Sequence, residues 1–399
     1  PAGLGARARR GKGSIVAAAR AGGGDRPVAP SPRPERPPEV ATSRGLRVVL
    51  TGRLSLPPRP DVKGRNQVAT HSAENARDLQ AALRKAAPGD TVELNGSFGE
   101  VTLSGIRPEA RVTLRAARPG AAHLEKLVLG DCANLAFAGL TMWPLSPVPP
   151  NDRKLYLIHA YPDCAGIEVS DTLFRGRADS DDHPKWALAD WNAAKIGAAL
   201  LRGPRSVIRN NAAIGVNFGF GVSGKSSEIF GNLIFGFSGD AFRATEDNCV
   251  VIGNRATDAM QIDKNHSDAF QAFKIDRLLN GIIVKDNVLV EWTVRPDNPL
   301  RAKMQGISFH GGPYANIIVR DNRVATTSPN GIHLNQVENF EVTGNLVRNA
   351  DGQRGKLPRI WIDHCWGNMV LADNEAENFT LQRGLGGPKN REPDYSIRF

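Results

Sequence analysis

An apolar residue, two variable positions and an asparagine recur seven times between residues 207 and 374, and this repeat constrains the fold more tightly than any other feature of the chain. The copies are VIRN ending at Asn210, IFGN at Asn232, VIGN at Asn254, VKDN at Asn287, VRDN at Asn322, VTGN at Asn345 and LADN at Asn374. They are spaced 22, 22, 33, 35, 23 and 29 residues apart, and the longer intervals contain loop sequence such as VRPDNPLRAKM. A unit of 22 residues holds two or three short strands and cannot enclose a core alone. Stacked on its neighbours it can, which is the logic of a solenoid. Asparagine tolerates the left-handed corner between strands, so a ladder of corner asparagines joined by their amides is expected. The leucine consensus of a leucine-rich repeat is absent.

The flanking sequence agrees with this. SAENARDLQAALRKAAPGD has apolar residues at helical spacing, with Ser72 at the N-cap position, and stops at Pro88-Gly89. A helix over about 73–87 is expected. TVELNGSFGEVTLSG, RVTLRAA, KLVLGD and LAFAGLTMW follow, each run the length of one alternating strand. Residues 1–45 are rich in Pro, Arg and Gly and predict a disordered tail. Residues 1–65 carry 14 Lys/Arg against 4 Asp/Glu, an excess equal to the +10 of the whole chain. The folded part is therefore formally neutral, and its charge gives no reason to expect a nucleic-acid partner. Cys132, Cys164, Cys249 and Cys365 lie far apart without a CxxC pair, which predicts buried thiols. No apolar run reaches the roughly 18 residues of a membrane span. GKGSIVAAARAGGG (11–24) is basic but lacks the apolar core of an export signal.

On the asparagine repeat and on DLQAALRKAAPGDTVELNGSFGEVTL, the chain resembles the right-handed parallel β-helix proteins of the pectate-lyase-like superfamily. The resemblance covers about residues 72–380. It implies an all-β, single-stranded right-handed parallel β-helix over 46–385, an N-terminal capping helix, a loop insertion at about 177–195 and a C-terminal tail at 386–399. It also implies a polysaccharide lyase or a uronate C5-epimerase relative. RIWIDHCW (359–366) contains WIDH, a string similar to a pectate lyase signature, but it lies near the end of the solenoid without the acids and arginine that accompany it there. The calcium ligands of pectate lyases are therefore not transferred.

Successive coils stack equivalent positions about 4.8 Å apart, so a site takes the form of outward polar residues at one phase of consecutive repeats. GDAFRA (239–244), SDAFQA (267–272), GISFHG (306–311), GIHLNQ (331–336) and RIWIDH (359–364) align in this way. With Phe242, Phe270, Ile307, Phe309, Ile332, Leu334, Ile360 and Ile362 inward, an outward column runs Arg243, Gln271, Ser308/His310, His333/Asn335 and Trp361/Asp363. KNHSDAFQ adds His266 and Asp268. Lys303 and Tyr314 flank the column, and Trp186 and Trp191 of the insertion are candidates for a sugar-stacking wall. Asp179, Asp181 and Asp182 lack the spacing of a defined cation loop. The metal set is unassigned, with calcium left open.

Hydrolysis of a glycoside needs two carboxylates flanking the bond. The column offers Asp363 with Asp268 or Asp240, several coils apart. Uronate chemistry needs a base for the C5 proton, a group to neutralise the carboxylate and a proton donor. Histidine suits the first and last roles. The expectation is a lyase acting on an acidic polysaccharide. His310 or His333 would be the base, with His266 the alternative acid or base. Arg243, Gln271 and Asn335 would hold the carboxylate, with Asp268 orienting a histidine. A secreted or periplasmic monomer is expected. The alternatives are an epimerase, a glycoside hydrolase, and a non-catalytic glycan-binding spike, which would be trimeric.

Overall fold

The computed structural model describes residues 68–148, 156–264, 266–273, 276–293, 297–355, 357–387 and 389–396. The expected tail at 1–45 and the first part of the 46–385 domain lie outside them. Three sheets, of 13, 11 and 11 strands, run the length of the described chain, and every pairing between their strands is parallel. Each coil contributes one strand to each sheet in turn. Gln305–His310, Tyr314–Arg320 and Arg323–Ala325 form one coil, and Asn330–Asn335, Val337–Thr343 and Leu346–Arg348 form the next. This is the expected right-handed parallel β-helix.

The coils close because each strand turns one side to a common interior. Phe220, Phe242 and Phe270 occupy one inward register and pass it to Ile307, Ile332 and Ile360. All six are at most 1 % exposed. The inward set read from sequence is buried throughout, so the outward phase of this sheet is fixed. All four cysteines are buried, unpaired thiols. No described helix is long and apolar enough to cross a membrane.

The asparagine ladder is present, with two corrections. The left-handed corner is taken by the residue before each ladder asparagine: Gly231, Gly253, Asp286, Asp321, Gly344 and Asp373 all have φ between 55° and 65°. The asparagine next to it is buried. Its amide nitrogen donates to the following asparagine, as from Asn232 to Asn254 and from Asn254 to Asn287, each at 3.0 Å. A short polar corner residue or glycine accepts φ > 0 at low cost, which frees the asparagine side chain to point inward. For the same reason the first rung is Asn211, while Asn210 takes the corner with φ 55°. The ladder also continues beyond Leu385, because Asn374 donates to Asn390 at 3.1 Å. Part of the expected C-terminal tail therefore extends the solenoid.

The capping helix spans Ala76–Lys85 and buries Leu79, Ala82 and Leu83. Its N-cap is Asn75, whose side-chain oxygen accepts from the backbone nitrogens of Arg77 and Asp78. Ser72 does not cap it, because Thr70–Ala73 is already a strand paired with Thr91–Leu94.

The ladder makes a direct prediction. Asn254 donates to Asn287 and to the Ile229 carbonyl, and it accepts from Asn232. Asn254→Ala leaves these buried groups unpaired and is expected to lower the unfolding free energy by about 2–4 kcal/mol. Urea denaturation measures this, and a loss below 1 kcal/mol would contradict the role given to the ladder.

Candidate functional site

The outward side of the sheet holding Gln305–His310 carries one register across five coils. Arg243 pairs with Gln271, Gln271 with Ser308, Ser308 with His333 and His333 with Trp361. Upstream it continues through Gly221 and Leu200 to His159. The expected column is therefore assembled by strand pairing.

Two buried carboxylates lie beneath it. Asp268 is fully buried and collects three neighbours: His266 Nδ1 at 3.1 Å, Gln271 Nε2 at 3.0 Å and Ser308 Oγ at 3.5 Å. On the preceding coil Asp240, 2 % exposed, accepts from Arg243 Nε and from the Asp268 backbone nitrogen. Burial, with the charge of Asp268 adding to it, pushes the Asp240 carboxyl up to about 6, and Arg243 opposes this. Asp240 and Asp268 thus stand on neighbouring coils, whereas the sequence left the candidate acids several coils apart. Both are buried beneath the outward side chains that donate to them. Beside them the Arg243 guanidinium lies 4.2 Å from the centre of the Phe218 ring and 5.6 Å from that of Phe273.

The histidines divide by environment. His266 is half-exposed, and its bond to Asp268 raises its pKa above the ordinary imidazole value. His310 is shifted the other way by burial, with the nearby His266 adding to the effect. Its Nε2 lies 3.3 Å from Gln305 Oε1, an oxygen that also faces Ser308 Oγ at 3.4 Å and Asn330 Nδ2 at 3.3 Å. An amide oxygen accepts, so Nε2 carries the proton in the neutral ring and Nδ1 keeps its lone pair. His333 is pushed down to about 4 by burial, with His310 and Arg359 adding to the effect and Asp363 opposing it. It is 6 % exposed, meets His310 edge-on with centroids 4.9 Å apart, and stacks on Trp361 at 4.1 Å. Neither of its ring nitrogens has a hydrogen-bond partner. The Arg359 guanidinium also lies over Trp361, 4.3 Å from the ring centre.

Not every expected residue joins this constellation. Asn335 and Asp363 bond to each other at 3.3 Å in the neighbouring outward register, with His364 at 3.0 Å from Asp363. Lys303 is exposed in the loop before Gln305–His310. Tyr314 is fully buried, and its hydroxyl is committed to the Ala272 and His310 carbonyls. It therefore braces the strand rather than facing the groove. Trp191, 1 % exposed, packs edge-on against Trp186 in a separate apolar cluster with Met260 and Trp292, and forms no sugar-stacking wall. Asp179, Asp181 and Asp182 are each paired with a cation, Arg177, Arg175 and Lys185 respectively. Among the described residues, no group of three His, Cys, Asp or Glu is arranged to hold a metal. Gln305 and Asn330 were missed because strict alternation would turn position 305 away from position 308, whereas the Gln305 side chain meets Ser308, His310 and Asn330.

No protein-family profile matches the chain, and no curated protein does. Among solved structures it is similar to the PL6 family alginate lyase AlyGC, with 14 % identity and a TM-score of 0.41 over 83 % of this chain and 52 % of that one. It is also similar to the catalytic unit of a thermostable GH87 α-1,3-glucanase from Streptomyces thermodiastaticus, with 14 % identity and a TM-score of 0.47, covering 82 % and 69 %. A third is PfbA, a surface adhesin of Streptococcus pneumoniae, with 12 % identity and a TM-score of 0.45, covering 77 % and 86 %. The chain thus spans about half the length of AlyGC. At these identities the likeness is one of fold.

The coupling of His266 to Asp268 is testable without a substrate. In Asp268→Asn the imidazole of His266 is expected to titrate at lower pH, back toward its ordinary value, as followed by NMR of its ring protons. An unchanged titration would show that Asp268 does not set it.

Proposed function

We propose that the chain is a polysaccharide lyase that cleaves a uronic-acid-containing polymer by β-elimination on the face carrying His266 and His310. The observation that carries this reading is the opposite tuning of these two histidines on neighbouring coils: a buried carboxylate raises the pKa of one, and burial lowers that of the other, whose Nε2 rather than Nδ1 faces Gln305. Elimination requires such a pair. His310 Nδ1 removes the C5 proton, the electron pair forms the C4–C5 double bond, and the C4–O bond breaks. His266 delivers its proton to the departing oxygen. Solvent then takes the proton from His310 and restores the one on His266.

Proton removal next to a carboxylate is costly unless the developing charge is met by fixed donors. Arg243 suits this role. Its Nε is held by Asp240 and its plane by Phe218 and Phe273, and the Tyr156 hydroxyl also bonds to it, so the charge is fixed in place on this face. Gln271 gives its amide to Asp268 and acts through the dyad. His333 is too enclosed to serve as the base and instead wedges His310 against the Trp361 stack. Lyase action implies a secreted or periplasmic location, where polyuronates are met.

Ultraviolet absorbance of unsaturated uronate ends tests this on a panel of polyuronates. The base must be neutral, so kcat/KM is expected to rise through a pKa below 6.5. The acid must be charged, so it is expected to fall through a pKa above 6.5, giving a plateau around neutrality. His310→Ala should reduce kcat by about 10²-fold or more, and His266→Gln should abolish the alkaline limb. New reducing ends without unsaturation would instead favour hydrolysis by the Asp240/Asp268 pair and contradict the proposal.

A further inference from the structure

The same face continues for three coils on the N-terminal side of Arg243, and its composition there is unusual for a solvated surface. His159 lies in the outward register that reaches Arg243 through Leu200 and Gly221. Its ring stands 4.7 Å from Tyr161 and 6.1 Å from Tyr156, and Tyr156 is stacked with Phe218 at 6.2 Å. Phe218 in turn lies under the Arg243 guanidinium. The aromatic run is thus continuous from Tyr161, which is 44 % exposed, to the edge of the acid–base constellation.

Missing side chains keep this strip flat. A Cβ at Gly197 would lie 2.4 Å from the Tyr156 ring, and one at Gly239 would lie 2.6 Å from Phe218. At Gly221 a Cβ would come within 3.0 Å of Leu200. Each glycine lets a ring or apolar side chain lie down on the sheet.

The strip is also electropositive. Arg202 is exposed beside Tyr161 and has no ion-pair partner among the described residues. Arg202 and Lys126 both act on His159, lowering its pKa beyond the effect of burial. His159 Nε2 is enclosed without a hydrogen-bond partner. Ring faces beside unpaired cations suit a ligand with apolar sugar faces and carboxylates along its edge.

We propose that Tyr161, His159, Phe218 and Arg202, supported from below by the buried Tyr156, form an extended binding strip that holds the non-reacting acidic sugars of a polyuronate along the solenoid axis. At about 4.8 Å per coil, His159 stands roughly 14 Å from Arg243 along that axis. The polymer therefore runs parallel to the stack, with several sugars bound on the N-terminal side of the bond that is cut. The strip rests on the uronate reading for its ligand, but not on elimination as the chemistry.

The test is calorimetric binding of hexagalacturonate, hexamannuronate and neutral mannohexaose to the full chain carrying His310→Ala, which blocks turnover. An acidic hexamer is expected to bind, and mannohexaose at least tenfold more weakly. Tyr161→Ala and Arg202→Glu should each raise Kd about tenfold without changing the thermal midpoint, since both residues are exposed. Phe218→Ala, checked by its melting curve, should do the same. Unchanged affinity in both exposed variants would overturn the strip, as would equal binding of the neutral hexamer or no binding of either acidic one. The two readings fail separately. Tyr161-dependent binding without any unsaturated product from the native chain removes the lyase and leaves the strip. Unaltered KM for the acidic hexamer in Tyr161→Ala and Arg202→Glu does the reverse.

Discussion

Everything in this protein depends on parallel strands stacking in register, and the buried asparagine ladder is what pins that register. Parallel pairing alone tolerates slippage, and a slip of one residue would reverse every side chain on the outward face. A ladder amide that must meet the amide of the next coil leaves one solution per coil. From Asn211 to Asn374 the rungs are satisfied by the next rung and by a backbone carbonyl. The ladder borders the sheet from Thr70 to Ala372, and the candidate chemistry lies on a different sheet. Stability and chemistry are therefore carried by separate faces of the same coils, so the outward face is free to vary in sequence.

On that face, burial rather than residue type separates the roles. Asp240 and Asp268 are sunk beneath the surface and work through the side chains they hold, Arg243 and His266. His310 and His333 stand on neighbouring coils, yet one has its tautomer fixed by Gln305 while the other is sealed against Trp361. One imidazole with a raised pKa and one with a lowered pKa thus stand a coil or so apart, the separation that an acid–base pair needs.

The fold was legible because a solenoid writes its period directly into the sequence. The outward column was legible for the same reason, since strand pairing brings together residues of equal phase. The failures share a physical origin. Asn210 and Asn211 are adjacent, and only the corner geometry decides which one is the rung. Ser72 and Asn75 both cap helices well, and pairing of Thr70–Ala73 with Thr91–Leu94 settled the choice. Trp191 was read as a sugar-stacking residue from its type and Tyr314 as a groove residue from its place beside the column, yet depth within the fold is written in neither. Gln305 and Asn330 were hidden because strict alternation would separate position 305 from Ser308, whose hydroxyl its side chain in fact meets. The Asp240/Asp268 adjacency was readable from GDAF and SDAF as aligned copies, once both aspartates are given the same phase.

The account rests most heavily on elimination through His310, and proton NMR of a polyuronate digested in D2O tests that claim most directly. The account predicts a new vinylic proton from the unsaturated sugar, growing with time and absent with His310→Ala. Deuterium appearing at C5 of an intact polymer would identify an epimerase instead, and new reducing ends without a vinylic signal would identify a hydrolase. Either result would contradict the mechanism drawn from this face.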